Sequence, residues 1–102
     1  MWIVAKYNSK ELEVFKKELS DKLDKDVEYY HPKIKIDNTS KVKKFKYILD
    51  RYIFCQSKKF LNQKFISSAS NLRGLDYFLK DCLNYQDEIT KFINFCKTNE
   101  DI

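Results

Sequence analysis

The sequence predicts an α+β domain: a mainly antiparallel β-sheet with helices packed on it in two layers, in the order β-α-β-β-α-β-α. Three observations predict it. Short runs of aromatic and β-branched residues (Trp2–Tyr7, Tyr52–Cys55, Leu75–Leu79) have the length and composition of strands. Between and after them lie longer segments whose apolar residues recur every three or four positions, the signature of one helix face. The 102 residues are 43% hydrophobic and 16% aromatic, enough for one modest core, so residues 1–102 read as a single domain. Strands joined through helices by short connections give the split βαβ arrangement.

Trp2–Tyr7 opens the fold as a buried strand and ends in a turn at Asn8-Ser9. Asn8 is a helix cap and Glu11, three residues on, completes a capping box. Leu12, Phe15, Leu19 and Leu23 then form one apolar face, with Glu13–Lys17 and Glu18–Lys22 as favourable i,i+4 pairs, and the helix stops near Lys22–Asp26. Val27–Ile36 reads as a second strand interrupted by Pro32, which implies an edge or a bulge. Asp37–Lys46 is polar and basic, an exposed loop or hairpin tip. Tyr52–Cys55 is a strand. Lys59–Ser70 holds a second helix with Leu61, Phe65 and Ile66 inward, Asn71–Gly74 is a turn, and Leu75–Leu79 a short strand. Asn84 caps a last helix whose Ile89, Phe92, Ile93 and Cys96 share a face.

Composition excludes several function classes. One glycine and one proline leave no material for GxGxxG or GxxxxGK phosphate loops. No stretch nears 18 consecutive apolar residues, so no membrane span is expected, and the N-terminus has neither the basic leader nor the apolar length of a secretory signal. Cys55, Cys82 and Cys96 are odd in number and form no CxxC; with His31 as the lone histidine they make no standard zinc spacing. Reduced structural thiols in a cytoplasmic protein are the expectation, with no metal and no cofactor. Catalysis is not expected either: His31 stands beside Pro32 with no nucleophile in sight, and Glu11 and Glu13 lie on the solvated side of a helix. Lys+Arg 20 against Asp+Glu 15 gives a net charge of +5, which suits an anionic partner and equally a solvated lysine-rich surface.

Several positions resemble one family in order and spacing. Trp2-Ile3-Val4 is similar to an opening Trp-Tyr-x-x strand, and His31-Pro32 falls where the family has Val-x-x-Pro. Ile48-Leu49-Asp50-Arg51-Tyr52-Ile53-Phe54-Cys55 resembles Leu-Phe-Pro-Gly-Tyr-Val-Phe-Val. Asn71–Leu79, with Arg73-Gly74, resembles x-x-x-Arg-Gly-Val-x-x-Phe-Val. The helix around Asp87–Cys96 lies where the family has Glu-Val-x-x-Ile. The family is the NusG N-terminal (NGN) domain of transcription elongation and antitermination factors, and the resemblance spans about the whole chain. The family's Pro-Gly before the tyrosine is absent: Asp50-Arg51 stands there. No segment resembles the family's second domain, a KOW barrel, so its ribosomal-protein and Rho contacts are not implied.

The resemblance implies a bacterial, nucleoid-associated factor, a monomer, that binds RNA polymerase and modulates pausing or termination. Its largest-subunit clamp helices would dock in an apolar depression with Tyr52 and Phe54, on one face of a strand, and Trp2 and Val4 beside them. On this reading, replacing Tyr52 and Phe54 by alanine removes polymerase binding and leaves the fold intact; the alternative is that both are core. Lys41, Lys43, Lys44, Arg51 and Arg73 are candidates for contact with upstream or non-template DNA. Ser67 and Ser68 fall near a second polymerase contact of specialised, RfaH-like members. Two other readings remain open from the residues alone: an RNA- or DNA-binding split βαβ domain that stacks bases on sheet aromatics, although the RNP1 pattern is missing, and a small adaptor.

Overall fold

The computed structural model describes residues 1–36, 44–47 and 51–99. Its elements are β1 (Trp2–Tyr7), α1 (Leu12–Lys22), β2 (Glu28–Tyr30), β3 (Lys33–Ile36), β4 (Lys44–Tyr47), β5 (Tyr52–Gln56), α2 (Gln63–Ser68), β6 (Leu75–Leu79) and α3 (Gln86–Asn99), with 3-10 turns at Lys58–Leu61, Ala69–Asn71 and Lys80–Tyr85. Four strands form one sheet in the order β2-β5-β1-β6, every neighbouring pair antiparallel. β1 and β2, joined through α1, therefore run parallel with β5 between them. This is the split arrangement expected of an α+β domain.

The chain has more layers than its pattern foretells. α1 and the α2 region bury Phe15, Leu19, Leu23, Phe60, Ile66 and Ala69 against Ile3, Ala5, Ile53, Cys55 and Phe78 on one face of the sheet. On the other face Trp2, Val4, Tyr30 and Phe54 pack against Ile89, Ile93 and Cys96 of α3. The expected two layers are three, helix–sheet–helix. The cause is visible in β1: Trp2, Ile3, Val4 and Ala5 are all buried, and a strand apolar on both faces needs cover on both.

Pro32 divides the second strand instead of bulging it. It has no N–H to offer a ladder, so β2 ends at Tyr30 and the chain leaves for a separate two-stranded sheet, β3–β4, registered Lys33↔Tyr47 to Ile36↔Lys44. The basic stretch read as an exposed loop or hairpin tip thus ends in the return strand β4, and Lys44–Lys46 belong to it.

Capping explains the other shifts. The Asn8 side chain accepts from Lys10 N–H at 3.1 Å, a turn ahead of the helix, and α1 starts after Glu11 with no side-chain cap. The capping box does not form. Between Lys59 and Ser70 the chain breaks at Asn62, which is extended and caps Lys64 N–H at 2.9 Å. That break rotates the preceding turn, so Phe60 is the buried residue while Leu61 is 69% exposed. Phe65 is half-buried and Ile66 buried, as their spacing predicts. Asn84 does not cap the last helix; it lies in the 3-10 turn, and α3 begins at Gln86.

Candidate interaction site

The face expected to receive a partner is the one α3 occupies. β1 lies between β5 and β6, and its even-numbered residues point to that side. Three rows result: Trp2 with Gln56, Val4 with Phe54 and Leu79, and Lys6 with Tyr52 and Tyr77. α3 covers Trp2, Val4 and Phe54 of the first two rows, while Leu79 at the β6 side stays exposed. Trp2, Val4 and Phe54 are buried, with Trp2 and Phe54 edge-to-face at 6.4 Å and Phe54 tilted on Phe92 at 5.8 Å. These three are core, which corrects their assignment as an open depression: a partner cannot reach them past α3. Phe54→Ala would remove core packing, so the fold-preserving double replacement of Tyr52 and Phe54 is also set aside.

Gln86 explains why α3 sits there. Its side-chain amide accepts from Trp2 N–H and donates to Trp2 C=O, each at 2.7 Å, and donates to Cys82 C=O at 3.2 Å. Beyond the last β6 partner of β1, the glutamine stands in for a strand neighbour. Val4 N–H lies 3.4 Å from Cys82 Sγ and completes that edge. Gln86 does not stand out in the sequence, because a polar residue at a helix start reads as a solvated one.

The third row stays at the surface. Tyr77 is 43% exposed, and Tyr52 and Lys6 are half-buried. The tyrosine hydroxyls meet at 3.4 Å across β1, and Lys6 Nζ lies 5.9 Å from the Tyr52 ring centroid and 5.5 Å from that of Tyr77. The Tyr77 hydrogen bond raises the Tyr52 phenol above its ordinary range, so Tyr52 keeps its proton at neutral pH. Lys6 and Tyr77 escape a reading of the sequence. The signal for Lys6 is that it is the lone charge in the strand Trp2–Tyr7; nothing local marks Tyr77.

The basic candidates do not gather in one place. Arg51, exposed, precedes Tyr52 and holds φ 66; its carbonyl accepts from Tyr7 N–H at 2.8 Å. The left-handed region favours glycine, so Arg51 keeps a glycine-like turn without a glycine. Arg73 stands on the α1 side. Its Nε is 3.6 Å from a Glu11 carboxylate oxygen and its backbone N–H donates to Glu18 at 2.9 Å, which offsets its charge. Lys44 belongs to β4, and Lys41 and Lys43 lie outside the described residues. Ser67 and Ser68 are exposed on α2; Ser68 Oγ donates to Phe65 C=O at 2.7 Å, and Ser67 lines a cleft of about 230 Å³ with Ile66, Lys80 and Leu83.

His31 is a structural post. Its Nε2 is 2.9 Å from the hydroxyl of buried Tyr7, with the rings edge-to-face. Among the described residues no group of three or more His, Cys, Asp and Glu could hold a metal ion, and no helix is long and apolar enough to cross a membrane. Compared with known proteins, the chain matches no family model and no curated sequence.

Proposed function

We propose that this chain is a transcription elongation module of the NGN type that docks on RNA polymerase and biases it toward continued elongation. The observation that carries the reading is Arg51. The resemblance expects a glycine immediately before Tyr-x-Phe, and Arg51 takes the left-handed φ of 66 that a glycine there would supply. Gly74 supports it likewise: it holds φ 84 after Arg73, on the turn into β6. The split sheet order is compatible with the same topology.

Burial of Trp2, Val4 and Phe54 moves the docking surface one layer out. The apolar material left on that side is on α3: Phe92, half-buried on Phe54, and Phe95, 67% exposed. The two are three residues apart and so neighbour each other on the helix surface. Exposed aromatics of this kind anchor helix–helix docking. The partner is the clamp helices of the largest polymerase subunit, with upstream DNA as a secondary contact for Arg51 and the lysines of β3 and β4. A protein that binds the closed clamp better than the open one shifts the population toward the closed, elongating enzyme.

The test is retention of core RNA polymerase on the immobilised protein, followed by single-round elongation with and without it. Retention of polymerase and altered pausing are expected, and Phe95→Ala weakens both while the protein stays folded. A folded protein that retains no polymerase overturns the reading.

A further inference from the structure

The row Tyr52–Lys6–Tyr77 adjoins the cluster under α3, against which Tyr52 and Phe92 both pack, but its chemistry differs from that of Phe92 and Phe95. We propose that it is a binding site for single-stranded nucleic acid, with bases stacking on the tyrosine rings and the backbone phosphate held by Lys6. The proposal goes beyond polymerase docking and does not depend on it.

Four observations carry it. The three side chains come from three adjacent strands in one register row, so they are positioned by the backbone of the sheet and not by a loop. α3 covers Trp2, Val4 and Phe54, while Tyr77 stays exposed and Tyr52 is half-buried against the edge of that cluster. The lysine ammonium lies over both rings, which brings positive charge and π-surface together in one spot. Among the described residues no carboxylate forms an ion pair with Lys6. Asp76, the acidic neighbour of Tyr77, is exposed and lies at the irregularity of the β1–β6 pairing, where Leu75 and Phe78 both pack on the opposite core.

This combination selects its ligand. A duplex keeps its base faces within its own stack and offers the rings nothing, whereas a single strand splays its bases onto aromatic platforms while its phosphates seek cations. Tyr77, 43% exposed, offers the ring surface for stacking. The contact reads π-face and charge, so it tolerates any base.

The experiment is fluorescence anisotropy with the full chain and labelled oligo(dT), oligo(rU) and a duplex of mixed sequence, over a salt series. Single strands bind more tightly than the duplex. Tyr77→Leu weakens single-strand binding about five- to hundredfold, the loss of one stacked base, and Tyr77→Phe keeps it within about twofold. Lys6→Gln lowers the slope of log affinity against log salt by about 0.7, one phosphate of a single strand. The dT and rU arms distinguish a DNA strand from an RNA strand. Because Tyr77 is a surface residue, unfolding midpoints of the variants should match the parent. Equal binding of duplex and single strand overturns the proposal. So does unchanged binding by folded Tyr77→Leu and Lys6→Gln, or a loss in Tyr77→Phe as large as in Tyr77→Leu. Polymerase retention, measured on the same Tyr77→Leu protein, should be intact, so the two readings fail separately.

Discussion

Gly74 holds a conformation that its neighbours allow no other residue to share. A Cβ placed on it would come within 2.5 Å of the Glu11 carbonyl oxygen and 3.0 Å of Phe15 Cβ, at φ 84. Backbone oxygen does not yield as a flexible side chain does. Asn8 N–H also donates to Gly74 C=O at 2.8 Å, tying the turn to the start of α1. Gly74→Ala should therefore cost at least about 2 kcal/mol, from strained backbone and overpacking together, read as a lower urea midpoint. Arg51, Asp24 and Lys25 also hold positive φ, without a glycine. Each left-handed non-glycine residue costs about 1–2 kcal/mol, so Arg51→Gly should raise that midpoint.

Buried ionisable groups give stability a pH dependence at the same scale. Burial pushes the Cys55 and Cys82 thiols above their usual range and the Tyr29 phenol up to about 12. Each is favoured in its protonated form when folded, while the unfolded chain releases the same protons at lower pH. Their contribution is complete below the ordinary thiol pKa of 9.0 and is lost as pH rises above it toward the folded values. The urea midpoint should hold steady between about pH 7 and pH 8 and fall through the alkaline range, less steeply in Cys55→Ala. A midpoint unchanged between those ranges would contradict this.

At the scale of elements, α3 decides what the sheet presents. Its register is fixed by apolar packing of Ile89, Ile93 and Cys96 and by the Gln86 amide on the backbone of Trp2. Gln86→Ala leaves a part-buried N–H and C=O of β1 without their partner. It should cost about 1–3 kcal/mol and free the N-terminal turn of α3, seen as faster amide exchange at Trp2 and along α3. If exchange at those sites stays at parent rates, Gln86 does not hold the helix. The α2 region shows the reverse relation, where a local signal overrides periodicity. Asn62 caps the turn after it, splits one expected helix in two, and exchanges Leu61 for Phe60 in the core.

At the scale of the whole molecule, burial on both sheet faces separates the surfaces available for function. One end of the α3 side carries the Tyr52–Lys6–Tyr77 row, and α3 itself carries Phe92 and Phe95. Arg73 belongs to the opposite, α1 side, its guanidinium paired with Glu11 and its backbone N–H bound to Glu18. A charge-reversed Arg73→Glu should thus weaken nucleic-acid binding far less than Lys6→Glu, compared at one salt concentration.

Strand identity was legible because it depends on local pattern: the runs at Trp2–Tyr7, Tyr52–Cys55 and Leu75–Leu79 appear as β1, β5 and β6 with boundaries shifted by at most one residue. The faces of α1 and α3 were legible for the same reason. Period and length are properties of neighbours in sequence, and so is the α+β class they add up to. The fate of Trp2, Val4 and Phe54 was not legible. Their alternation marks a shared face, but whether that face meets solvent, a partner or the chain's own last helix depends on contacts between residues 84 positions apart, such as Gln86 with Trp2. The Tyr52–Lys6–Tyr77 row is equally non-local, assembled from three strands by registers that no single segment encodes. The sequence by itself determined the strands β1, β5 and β6, the faces of α1 and α3 and the class of fold; only the tertiary structure decided which aromatic residues are core and which are surface, because burial is settled by long-range packing and not by local pattern.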